Sequence, residues 1–202
     1  KDRDRNMSIR SLEVFGPVDW RAEDLPESHR RIVIARPGEG KTVKQAAGEI
    51  LQAFASRAFR RPVRPDEVKP LTDLVEFAMA DGGSFERGIQ VAVSAVLVSP
   101  QFLFRIELDP APDDPKQVRT LNDFELATRL SYFLWSSMPD DELFNLAYQG
   151  ELRKESVLRQ QVKRMLADKR SRALVENFGG QWLNLRNLAE ITPDPKKFPG
   201  FD

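Results

Sequence analysis

The sequence predicts a mainly α-helical protein: two packed helical subdomains, bundle-like with orthogonal crossings, preceded by an extended arm with a short β-strand. Three observations predict it. From Thr42 onward, apolar residues recur at helical spacing. Two capping-box patterns, Thr42 with Gln45 and Asn122 with Glu125, mark helix starts in each half. Between the halves, Asp109 to Lys116 reads DPAPDDPK, with no large apolar residue, as a linker does. The expected boundaries are an arm over 1–41, a first subdomain over 42–108, a linker over 109–119 and a second subdomain over 120–202, truncated at its C-terminus.

In the arm, Met7, Ile9, Leu12 and Val14 are spaced mostly by two before Gly16-Pro17, which predicts a strand over Asn6–Phe15. A lone strand leaves its backbone groups unpaired. Its partner is expected to be Ile32-Val33-Ile34 or a neighbouring domain. Trp20 and Leu25 are expected to anchor the arm to the helical body.

The first subdomain opens with a helix capped by Thr42, with Val43, Ala47, Ile50, Leu51, Phe54, Ala58 and Phe59 on one face, ended by Pro62. A second helix runs from Pro65 to Ala80 with Val68, Leu71, Leu74, Val75 and Ala78 inward; Pro70 is expected to delay or bend it. Asp81-Gly82-Gly83 stops that helix and Ser84 caps the next, Phe85 to Val98. That third helix is apolar almost all round after Gly88 and reads as the central buried one. Ser99 and Pro100 read as the cap and first residue of a short helix with Phe102, Leu103, Phe104 and Ile106.

In the second subdomain, the helix capped by Asn122 turns Phe124, Ala127, Leu130, Ser131, Phe133 and Leu134 inward. A short helix follows over Pro139–Gln149, with a stop at Gly150, and another over Ser156–Ala167. The last runs from Ser171 to Leu188, interrupted by Gly179-Gly180. Each of those glycines costs a helix interior about 1 kcal/mol relative to Ala, so the pair predicts a close crossing or a kink.

Composition narrows the function. Among 202 residues, Lys plus Arg and Asp plus Glu each number 31, so the net charge is zero, against a nucleic-acid binder. No apolar run is long enough to span a membrane. Cysteine is absent and His29 is the single histidine. That removes disulfides, thiol nucleophiles, Cys-ligated zinc, iron–sulfur clusters and covalent haem attachment within the chain. Read from its residues alone, the chain is expected to be a soluble, mostly helical protein; the residues disclose no reaction, and no catalytic centre or metal site is expected in it.

The sharpest motif is Ala35 to Thr42, ARPGEGKT, which follows Ile32-Val33-Ile34 and precedes a helix. It matches a loosened phosphate loop, in which Gly40, Lys41 and Thr42 would bind phosphate and magnesium. A nucleotide fold needs a parallel sheet, and only helices follow. The preferred reading is a polar loop with Thr42 as a helix cap. Arg57, Arg60, Arg61 and Arg64 form either an anion site or a helix C-terminus, where cations offset the dipole and arginines hold carbonyls or acids of neighbouring helices. The second reading is preferred. Asp140, Asp141 and Glu142 read as first-turn acids rather than calcium ligands or paired carboxylates. Glu125 and Arg129 are an expected i, i+4 pair. His29 reads as a surface residue, and Ser131, Ser136 and Ser137 have no histidine partner for a catalytic triad.

Two stretches carry a resemblance: residues 50–107, with RAFRRPV and SPQFLFR, and residues 121–185, with ELATRLSYFLWSSMPDDEL and QWLNL. Both resemble consecutive domains of unknown function in large exported planctomycete proteins that carry cytochrome c-like domains. The resemblance implies a periplasmic or extracellular location and haem c on another domain. It makes the arm the tail of a preceding β-rich domain. It also implies cysteines at Ala35 and near Ala46, where this sequence has none. The expected role is a non-catalytic structural or interaction module whose partners are other domains of the same polypeptide, with no nucleic acid and no membrane span. The alternatives are a fragment of an oxidoreductase or polysaccharide-active enzyme completed by other domains and, less favoured, a P-loop nucleotide binder.

Overall fold

The computed structural model describes Ser11 and residues 25–38, 40–109, 111–114, 116, 118–185, 187, 194 and 196–200. The strand expected over Asn6–Phe15, its Gly16-Pro17 turn and the anchor Trp20 lie outside the described residues. The expected strand partner is corrected. Ile32 ends a short helix, α1 (Glu27–Ile32), with Glu27 in its first turn and Arg30 and Arg31 in its last, the charge order that a helix dipole favours. Among the described residues there is no sheet; the one β contact is an isolated bridge between Gly38 and Lys41.

The first helical layer is α2 (Val43–Ala58), α3 (Pro65–Ala80) and α4 (Phe85–Leu97), packed pairwise against one another. The capping box of α2 forms: the Gln45 amide donates to Thr42 Oγ1 at 3.1 Å and the Thr42 amide to Gln45 Oε1 at 2.8 Å. Pro65 occupies the first turn of α3, and the helix continues through Pro70 with no delayed start. Ile50, Leu51, Val75, Phe85, Ile89 and Ala92 form the core. Ala35 and Ala46 are buried in that same cluster.

Helix α4 differs from its sequence reading. Phe85, Ile89, Ala92 and Val96 are buried, whereas Gln90, Ser94, Leu97 and Val98 face outward. It packs on α2 and α3 along one side, and among the described residues no layer covers the other. Ser99 is the N-cap residue of the next helix, α5 (Pro100–Leu103), with Pro100 in its first turn, but its side chain makes no cap bond; its Oγ donates to the Val96 carbonyl at 2.7 Å.

The second layer comprises α6 (Asp123–Trp135), α7 (Asp141–Tyr148) and α8 (Glu155–Ala167). Leu134, Trp135, Leu143, Leu152 and Met165 fill its core. Phe133 turns outward, and Trp135 takes the inward place: its Nε1 donates to the Met165 carbonyl at 2.9 Å while the Arg170 guanidinium lies 3.5 Å over its ring. The single helix expected from Ser171 is replaced by a 3₁₀ turn (Lys169–Ser171), a π-helix (Leu174–Gly179) and a short α9 (Gly180–Trp182). Along the wider π turns Val175 and Phe178 are left exposed.

Candidate functional site: a cleft between the two layers

A cleft of about 880 Å³ lies where the end of α2 and the start of α3 face the segment 101–109 and the start of α6. The chain builds it from arginines. Just past α2, Arg60 adopts φ 59°, a left-handed conformation unusual for a side-chain-bearing residue. That turn aims its guanidinium into the protein, where Arg60 is only 6% exposed. Nη2 donates to the Gln101 and Phe104 carbonyls at 2.8 Å each and Nη1 to the Phe102 carbonyl at 3.3 Å. One side chain thus ties the end of α5 to the end of α2.

Arg61 makes a two-pronged contact with Glu67, 2.7 and 2.9 Å, and the Arg64 amide donates to the same carboxylate at 2.9 Å. The Arg61 hydrogen bonds, supported by Arg64, hold the Glu67 carboxyl down at about 2, from an ordinary 4.5. On the facing wall, Arg119 bridges Glu125 and Glu107. Arg129 binds Glu107 at 2.6 and 2.8 Å, and these bonds hold the Glu107 carboxyl below its usual range.

The expected Glu125–Arg129 pair is therefore not made. Glu125 is committed to the α6 capping box, where it accepts from the Asn122 amide at 2.9 Å, and to Arg119. Arg105 lies 4.7 Å over the Tyr132 ring, and Arg60 is 5.9 Å from the same centroid. Apolar wall is supplied by Phe59, Ile106, Leu108, Val118 and Phe124.

The other sequence candidates lie elsewhere. Gly40, Lys41 and Thr42 sit at the opposite end of α2, whose 16 residues span about 24 Å. The amides of Gly38 and Lys41 donate to each other's carbonyls at 3.0 Å, Lys41 Nζ meets Glu49 at 2.7 Å, and Thr42 is the cap. Arg57 leaves its neighbours and pairs with Asp141 at 2.5 Å. Asp140 caps α7 and takes Arg164 at 2.7 Å, and Glu142 accepts from Gln161 at 2.8 Å. His29 is half-buried at the surface, its Nε2 3.4 Å from Arg36 Nη2. Ser131 donates to the Thr128 carbonyl, and Ser136 accepts from Asn177. Among the described residues, no three His, Asp or Glu side chains converge as metal ligands, and no helix is long and apolar enough to cross a membrane.

Sequence reasoning missed three features. Arg105, Glu107 and Arg119 lie in or beside the expected linker, where no periodicity marks them. Asp123, a first-turn acid, is buried against Arg153, which donates to it from its backbone at 3.2 Å and from Nε at 2.7 Å. Phe133, Phe178 and Trp182 form an exposed aromatic row, 54%, 50% and 73% accessible, with ring centroids 5.6 and 6.0 Å apart.

Residues 46–107 match the PSD5 family model, a protein of unknown function (DUF1595), and residues 121–202 match the PSD4 model, a protein of unknown function (DUF1592). The chain carries these two domains in tandem, and the cleft is lined by residues of both. No curated protein and no solved structure matches the chain.

Proposed function

We propose that this chain is a non-catalytic interaction module that packs domains of one exported, cytochrome c-linked planctomycete polypeptide against one another, with haem c carried on a different domain. The observation that carries this reading is the exposed row of Phe133, Phe178 and Trp182. Adjoining large apolar side chains left in water are the ordinary mark of a surface that another protein covers. The acids of the cleft support the same reading over a hydrolytic or redox fragment. Glu67 and Glu107 are held ionised by guanidiniums, so neither has the near-neutral titration that proton transfer at physiological pH requires.

The test is assembly in trans. The chain is mixed with the haem-bearing segment encoded by the same gene, and complex formation is followed by sedimentation and by fluorescence of the tryptophans. A stable heterocomplex, lost in Phe178→Ser and Trp182→Ser, is expected. Absence of a complex, or a complex indifferent to both substitutions, would overturn the reading.

A further inference from the structure

We infer that the cleft between the two layers is a binding site for a small amphipathic anion, with its carboxylate or phosphate head on Arg105 and its apolar body against Phe59, Ile106, Leu108, Val118 and Phe124. This inference is independent of the aromatic row and of the module reading.

Four of the five described arginines that line the cleft are already occupied. Arg61 is paired with Glu67, Arg64 with Asp66, and Arg119 with Glu107 and Glu125. Arg60 gives its donors to three backbone carbonyls. Arg105 makes no hydrogen bond or ion pair with any described residue; its one partner is the face of Tyr132, at 4.7 Å. An arginine over an aromatic ring keeps its in-plane N–H groups directed outward, the geometry that takes a carboxylate or phosphate two-pronged.

The formal charge left unmatched in the cleft is positive. Guanidiniums match Glu67, Glu107 and Glu125, and of the remaining charges Arg60 and Arg105 outnumber Asp109, whose carboxylate accepts from the Ala111 amide in a local turn. Arg60 brings a second charge, without a carboxylate partner, to the same ring, 5.9 Å from its centroid. The volume, about 880 Å³, lies within the range of small-molecule pockets. Leu108 and Val118 stand exposed at the mouth, where an apolar ligand body would remove them from water.

The experiment titrates the whole chain calorimetrically with octanoate, octyl phosphate and octanol. Saturable one-to-one binding of at least one anion, with octanol much weaker, is expected. The stronger of the two anions identifies the head group. Arg105→Met should weaken that binding by about tenfold or more, the loss of a charge-assisted two-pronged contact. Val118→Asp, a change at an exposed position, should weaken it as well by placing a negative charge at the mouth. Circular dichroism and thermal midpoints of both variants check that they fold.

Three outcomes would overturn the inference: no saturable binding of either anion, equal binding of octanol, or binding that Arg105→Met and Val118→Asp leave unchanged. Binding abolished by Phe178→Ser instead would place it on the aromatic row and likewise overturn it. Failure here leaves assembly through that row untouched, because its own variants report on it separately.

Discussion

Gly88 of α4 lies directly against Val75 of α3: a Cβ built on Gly88 would stand 2.7 Å from Val75 Cγ1 and 3.0 Å from the Val75 carbonyl oxygen. The α3–α4 crossing thus depends on a missing methyl group. Gly88→Ala is expected to destabilise the fold by about 1–2 kcal/mol, overpacking outweighing the helix propensity gained. Gly48 of α2 has open space at its Cβ position, so Gly48→Ala should stabilise by up to about 1 kcal/mol. Urea denaturation of the two variants should shift the midpoint in opposite directions.

Thr42 and Lys41 separate a cap from a phosphate loop. Thr42→Ala removes the acceptor of the Gln45 amide and should cost about 1 kcal/mol. Lys41→Ala breaks an exposed pair with Glu49 and should change stability by less than about 1 kcal/mol. Thermal denaturation checks both, and titration with ATP and magnesium should show no binding that depends on Lys41.

Arg60→Ala strands the carbonyls of Gln101, Phe102 and Phe104 and should cost about 2–4 kcal/mol, the scale of a buried charged donor lost. Arg60→Lys should recover little, since an ammonium cannot span three carbonyls as a planar fork does. Hydrogen exchange should rise at residues 101–104 before the α2–α3–α4 core opens.

Stability should fall in acid through Glu67. Its folded carboxyl titrates at about 2 and its unfolded one near 4.5, so the unfolded chain takes up the proton first. The contribution is complete above pH 4.5 and is lost as pH drops toward 2. The midpoint of thermal unfolding should decline across that window. Glu67→Gln should start lower at pH 7 and decline less steeply.

The elements that could be read directly were those whose signal is local. The Thr42 and Asn122 capping boxes, the Ser84 cap and the stop at Gly82 each depend on residues within one turn of the chain, and each forms. The arginine run was legible in the same way: Arg60 and Arg61 bind carbonyls and an acid, as helix-end arginines do. Readings that required knowing a neighbour failed. Phe133 has the spacing of an inward residue and is exposed, because Trp135, one position off that stripe, fits the space beneath α8 and finds a carbonyl for its N–H. The last helix failed because periodicity does not report a π turn, which shifts the face by a residue.

By itself the sequence determined that the chain is helical, where most helices begin and end, and that thiol chemistry is excluded, since caps, propensities and composition act within a few residues of themselves. Tertiary structure alone decided the cleft. Glu107 left its sequence neighbours for Arg129, 22 residues on, and Arg119 was drawn to Glu125, so among the described residues Arg105 is the cleft arginine without a carboxylate or carbonyl partner. Coulomb attraction depends on distance in space, and no spacing along the chain records which of several arginines will be nearest to which acid once two helical layers meet.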